Sequence, residues 1–103
     1  MVVLKSQAEI DVMRKACQLS AQALQLAGEL VRPGISTKDI DQKIHQFITS
    51  HGAVPSFLGY GGFPASACIS INDQVIHGIP NANTIIKDGD IVKVDVGAFI
   101  DGY

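Results

Sequence analysis

Three polar side chains stand in apolar surroundings near the C-terminal end of this sequence, and each could carry chemistry. Asp95 lies mid-run in Ile91-Val92-Lys93-Val94-Asp95-Val96-Gly97-Ala98-Phe99, with a valine on each side. A carboxylate in the middle of a buried strand is poorly placed for strand propensity and for desolvation, so it needs a cation, a set of N–H donors or a metal beside it. As a hard oxygen donor on a rigid strand it could help hold a divalent ion; the alternative is a buried carboxylate satisfied by backbone N–H groups or a lysine. His77 sits between Ile76 and Gly78 in what reads as a second short extended piece, Val75 to Pro80. Gly78 leaves room there for a ligand or another backbone, and the imidazole is either functional or a hydrogen-bonded structural histidine.

Cys68 shares a strand face with Ser66 and Ser70, with no histidine near in sequence to activate it, and reads as a small buried hydrophobe. Tyr60 and Phe63 stand among glycines in Leu58-Gly59-Tyr60-Gly61-Gly62-Phe63-Pro64, where they line an apolar pocket or cover the edge of the core. That glycine loop is not a phosphate loop, because no Gly-Lys-Ser/Thr follows and the next segment is a strand. His45 and His51, on and just after a helix, are expected to face solvent. With no His-x-x-x-His pair, a zincin-type site is excluded on this chain.

The elements that must position these residues are legible. Ser6 with Glu9 is a capping-box pattern opening a helix over about residues 6 to 31, stopped by Pro33-Gly34. Ile10, Met13, Cys17, Leu24 and Val31, with Ala21 and Ala27, are expected to form its buried face. Ser36 with Asp39 is a second capping box, Ile35 and Ile40 make a hydrophobic staple, and Ile40, Ile44, Phe47 and Ile48 form the second helix's stripe, ending near Gly52. Residues 55–64 read as loop. Ala65 to Asn72 alternates as a strand, Asn72-Asp73 and residues 85–90 as turns. In the last strand Val92, Val94, Val96 and Ala98 share one face, and Asp101-Gly102 is a hairpin-turn signal. The fold class is α+β: two helices packed on one face of an antiparallel-leaning sheet, within one domain spanning residues 1–103.

Composition narrows the function classes. Of 103 residues 47% are apolar and 17% charged, which argues against disorder. A net charge of −2 without a basic cluster argues against nucleic-acid binding. No apolar run reaches the roughly 20 residues needed to cross a bilayer. Two cysteines imply no disulfide framework, and a cytoplasmic location is the default.

Taken together, Ala67-Cys68-Ile69-Ser70-Ile71-Asn72, Val75-Ile76-His77-Gly78-Ile79-Pro80 and Lys87-Asp88-Gly89-Asp90-Ile91-Val92-Lys93-Val94-Asp95-Val96-Gly97, preceded by Val31-Arg32-Pro33-Gly34-Ile35-Ser36-Thr37, resemble the N-terminal half of type I (bacterial) methionine aminopeptidases. The resemblance covers essentially the whole sequence. It implies half of a pita-bread fold and a hydrolase that removes the initiator methionine from nascent chains whose second residue is small. It implies a pair of divalent metal ions (Co, Mn, Fe or Zn) held by two Asp, one His and two Glu. Asp95 matches the first of those Asp residues. His77 matches the histidine that hydrogen-bonds substrate near the scissile amide. Tyr60, Phe63 and Cys68 match positions of the methionine pocket, Phe63 standing where Tyr is familiar. Phe57 matches a pocket-side position often filled by Cys.

On the same footing the second metal Asp is expected just beyond Tyr103, the metal-ligand His and both Glu belong to the other half, and Asp101 belongs to a turn. One carboxylate cannot hold a dinuclear centre, so the 103 residues alone are expected to be inactive and not to bind metal stably. A non-catalytic peptide- or partner-binding half-domain and a prolidase-like fragment are the alternatives. The hairpin started at Asp101-Gly102 has no return strand in the sequence, so the chain is expected to be truncated after its first metal-ligand strand and to self-associate through an open strand edge.

Overall fold

A computed structural model describes all 103 residues. Helix α1 spans Gln7–Leu30 and α2 spans Thr37–Ser50; four short strands follow, β1 (Val54–Pro55), β2 (Ala67–Ile71), β3 (Val92–Val96) and β4 (Ala98–Phe99). At the start of α1 the expected capping box is complete: the Ser6 hydroxyl accepts the Glu9 N–H at 3.2 Å and the Glu9 carboxylate accepts the Ser6 N–H at 2.9 Å.

The face that α1 buries differs from the expected one. Ala16, Leu19, Ala23 and Ala27 are buried, whereas Ile10, Cys17 and Leu24 are exposed. Apolar residues surround most of this helix, so their period does not fix which stripe turns inward. The alanines win because their small side chains let the helix backbone come close to α2 and the strands. Ser20 on that inner side donates to the Ala16 carbonyl at 2.9 Å and accepts the Ala98 N–H at 3.0 Å, tying α1 to β4.

Ser36 caps α2 by accepting the Asp39 N–H at 3.0 Å. The reciprocal carboxylate bond made at Ser6 is not made here, because Asp is one methylene shorter than Glu. Ile35, Ile40, Ile44 and Ile48 are all buried, as the stripe and staple require, and Phe47 is half-buried. The helix ends in a Schellman motif: the Gly52 N–H donates to the Thr49 carbonyl and the Ala53 N–H to the Ile48 carbonyl, with Gly52 at φ 76°.

The sheet is in two antiparallel pieces, β2 with β3 and β1 with β4. The long C-terminal run is therefore not one uninterrupted strand; Gly97 separates the part that pairs with β2 from the part that pairs with β1. The β1 strand adds to the expected elements: Val54-Pro55 is too short to show a period, Pro55 opens the stretch that reads as loop, and a proline is tolerated at a sheet edge. One core unites Leu19, Ala23 and Ala27 of α1, the isoleucines of α2, and Ala67, Ile69, Ile86 and Ala98, with Val92, Val94 and Val96 packed against it. The helices thus cover the face of the strands that carries the odd-numbered residues of β2 and the even-numbered residues of β3.

Two further expectations are settled here. Residues 75–80 form no strand: His77 takes a left-handed conformation, φ 60°, which turns the chain. At Asp101-Gly102 the turn is as expected, with φ 50° and 86° and a closed pair of Ile100–Tyr103 backbone hydrogen bonds of 2.8 and 2.9 Å. The Tyr103 hydroxyl donates to the Glu9 carboxylate, so this turn rests against the N-terminus of α1.

Candidate functional site

The core-facing residues of β2 and β3 leave the opposite face free to carry polar groups. Cys68 and Ser70 point from β2, Lys93 and Asp95 from β3, and the register places Cys68 opposite Asp95 and Ser70 opposite Lys93. Two segments are laid across this face. The first is residues 56–66, which contain a single 3-10 turn at Tyr60–Gly62. The second is residues 75–79, held by Gly78: its carbonyl accepts the Ile69 N–H at 2.9 Å and its N–H donates to the Ser70 hydroxyl at 2.9 Å.

Gly78 is the point of closest approach. A Cβ placed on it would stand 2.1 Å from the Ile69 carbonyl oxygen and 2.8 Å from the Ser70 Cα. The space beside His77 that the sequence implied is thus filled by backbone. His77 is held in its left-handed conformation immediately before this contact, a strained backbone for a residue with a side chain.

Between the two segments lies a cavity of about 620 Å³, lined by Phe57, Tyr60, Gly61, Gly62, Phe63, Pro64, Cys68, His77, Ile79 and Asp95. All six residues singled out from the sequence, Phe57, Tyr60, Phe63, Cys68, His77 and Asp95, meet here. Ile79 and Pro64 join them without having been singled out; Ile79 is two residues beyond His77, a spacing that was available in the sequence. The walls are aromatic and aliphatic, and the polar groups are few, a balance suited to an apolar group with one polar end.

The electrostatics differ from expectation at one point. Asp95 is exposed rather than buried, because the face of β3 that carries it opens onto the cavity and no layer covers it. It therefore needs no buried partner. Cys68, by contrast, is buried as expected; burial raises its thiol pKa, and the Asp95 and Asp41 carboxylates raise it further. The thiol is a wall of the cavity, in surroundings that disfavour its thiolate.

Metal ligation by these residues alone is not supported by the donor set. No group of three or more His, Cys, Asp or Glu side chains could hold an ion, and Asp95 is the sole carboxylate on the cavity wall.

His45 corrects a second expectation. It is half-buried, not solvent-facing, and its Nδ1 lies 2.9 Å from the Ser66 hydroxyl. One turn earlier, the Asp41 carboxylate accepts the Ser66 and Ala67 N–H groups at 2.9 and 2.8 Å. Burial raises the Asp41 pKa, and the two backbone hydrogen bonds oppose that rise. His51 is exposed as expected, stacked at a tilt on Phe47 with ring centroids 4.3 Å apart.

Comparison with known proteins places this geometry. Residues 11–103 match metallopeptidase family M24. A methionine aminopeptidase of Clostridium perfringens is 52% identical over 103 residues, which are 100% of this chain and 41% of the relative. Crystal structures of methionine aminopeptidases superpose closely: that from Rickettsia prowazekii with a TM-score of 0.93 at 42% identity, and that from Thermotoga maritima with 0.95 at 36%. Each match covers 98% of this chain, and 40% and 41% of those chains respectively. The chain thus spans about two fifths of the length of the proteins it resembles. No helix is long and apolar enough to cross a membrane.

Proposed function

The chain belongs to metallopeptidase family M24, and from that membership we propose that it forms the methionine-pocket part of a methionine aminopeptidase with a pita-bread fold. The observation that carries this reading is the convergence of Phe57, Tyr60, Phe63, Cys68, His77 and Asp95 on one cavity. In this reading Phe57, Tyr60, Phe63 and Cys68 receive the methionine side chain. His77 hydrogen-bonds the substrate backbone beside the peptide bond to be cut, and Asp95 offers one carboxylate to a pair of divalent metal ions, Co, Mn, Fe or Zn. The substrate is the N-terminus of a nascent polypeptide with a small second residue, in the cytoplasm.

Since Asp95 is a single ligand, no reaction step is assigned to a metal held by these residues. The 103 residues by themselves bind without hydrolysing. A second reading, a peptide-binding unit with no catalytic role, draws on one observation: the apolar cavity is formed entirely from this chain, whereas a metal-holding donor set is not.

Titration with L-methionine amide, followed by amide chemical shifts, tests the cavity assignment. Shifts concentrated at Phe63, Cys68, His77 and Ile79 are expected, and they should be weakened by Phe63→Ala. Equal shifts with norleucine amide and none with lysine amide would fit a pocket selecting an unbranched apolar chain. Shifts scattered over α1 and α2 would contradict it.

A further inference from the structure

We propose that Asp41, with His45 and Ser66, is a positioning device that sets the cavity wall from the opposite side of the chain. Asp41 and His45 lie one turn apart on α2, outside the cavity. Both act on Ser66, which is 1% exposed and immediately precedes β2. A single Asp41 oxygen, Oδ1, accepts the N–H groups of Ser66 and Ala67, and His45 Nδ1 partners the Ser66 hydroxyl. These contacts satisfy the backbone and side-chain polar groups at the point where the glycine-rich loop becomes a strand.

What they fix matters for the cavity. Pro64, two residues before Ser66, and Cys68, two residues after it, are both cavity walls. Cys68 is in turn the register partner of Asp95 across the ladder. On the outer side, Lys38, Asp41, Gln42, His45 and Gln46 line a groove of about 430 Å³ that shares Pro64 with the inner cavity. Groove and cavity thus meet at Pro64, two residues before the backbone N–H groups that Asp41 holds. The carboxylate is held there although burial raises its pKa, so it is retained against a desolvation cost that an apolar residue would not incur. A residue needed for folding alone could be met by a cheaper contact; a two-amide acceptor on a helix specifies position.

The test uses the two thiols of the 103-residue protein. Cys68 is buried and Cys17 exposed, so Cys17 serves as internal reference for alkylation by iodoacetamide, read by peptide mass spectrometry. Asp41→Ala removes both hydrogen bonds and should raise the Cys68 rate about tenfold relative to Cys17. It also removes a charge that raises the Cys68 pKa, so Asp41→Asn is the control: it loses the charge but keeps the oxygen, and its ratio should stay within about twofold of wild type. Ile44→Val, a core change on the same helix, should also stay within about twofold despite lowering stability. The proposal is overturned if Asp41→Ala leaves the ratio unchanged, if Asp41→Asn raises it as much as Ala does, or if Ile44→Val does. Should Asp41→Ala not fold, His45→Ala, which leaves the Ser66 hydroxyl without a partner, must raise the ratio by about threefold or the proposal fails.

A kinetic arm rests on the proposed function. In an assembly with the C-terminal part of the clostridial relative, Asp41→Ala should raise KM for a Met-Ala-Ser peptide about tenfold with kcat within about threefold, and Asp41→Asn should restore KM. A fall in kcat with unchanged KM would overturn the positioning role. An inactive wild-type assembly would count against the proposed function only, since the thiol ratios decide the positioning role without activity.

Discussion

Cys68 and Asp95 are register partners across the β2–β3 ladder, so the buried wall of the cavity and its exposed carboxylate rise from adjacent points of one rigid pair of strands. In the proposed function, an apolar side chain seated against Cys68 would have its polar end beside Asp95. That relationship needs no loop to move, and the remaining lining residues are brought up to it by two segments whose anchors are Gly78 and Ser66.

Gly78→Ala should be far more damaging than a methyl group implies. Its Cβ would stand 2.1 Å from the Ile69 carbonyl oxygen, which is backbone and cannot swing aside. Residues 75–79 would have to lift from β2 and give up the hydrogen bonds to Ile69 and Ser70. The expected loss is about 2–4 kcal/mol in urea denaturation, with the His77 resonances displaced. A variant within about 0.5 kcal/mol of wild type would show that the close approach is not maintained in solution.

Asp90 and Asp41 should respond to acid in opposite directions. Asp90 accepts from the Asn72 side chain and the Lys87 N–H, and these bonds lower its pKa. Its contribution is present above the unfolded carboxylate pKa of about 3.9 and is lost as pH falls through the lower folded value. Asp90→Asn should therefore shrink the drop in Tm between neutral and strongly acidic solution. The Asp41 pKa is raised by burial, so its protonation favours the fold as pH falls through the folded value. Asp41→Asn should be neutral or stabilising at pH about 7, an advantage that fades toward acid. Parallel Tm-against-pH curves for both variants and wild type would contradict these assignments.

Association through β3 is the third expectation. The Ile69 N–H donates away from β3, to Gly78, so by the antiparallel alternation its partner Val94 turns its own N–H and C=O outward, as do Val92 and Val96. No strand pairs with that edge. Exposed Val75, Ile76 and Ile79 lie on the cavity side of the same unit. Light scattering should give dimers or larger species as concentration rises, and a monomer at every concentration would count against edge pairing.

The parts of this fold that are written locally were legible in the sequence. Ser6 with Glu9, Ser36 with Ile35 and Ile40, and Asp101 with Gly102 act over a few residues, and each does in the structure what its spacing implies. The cavity was legible through residue types in ordered motifs, although the motifs did not reveal Ile79. What escaped depends on contacts distant along the chain. The inward stripe of α1 is chosen by how closely alanines let other elements approach. The left-handed turn at His77 follows from Gly78 seating on Ile69. The exposure of Asp95 depends on which layer is absent above β3. The bonds from Asp41 and His45 to Ser66 join residues 25 and 21 positions apart, beyond any local period.

The most direct measurement is methionine release from a Met-Ala-Ser peptide with Co²⁺ or Mn²⁺ present. The 103-residue protein should release none alone, and should release methionine once the C-terminal part of the clostridial relative is supplied, with Asp95→Asn abolishing that gain. Release by the 103 residues alone, or a complemented activity indifferent to Asp95→Asn, would contradict the account.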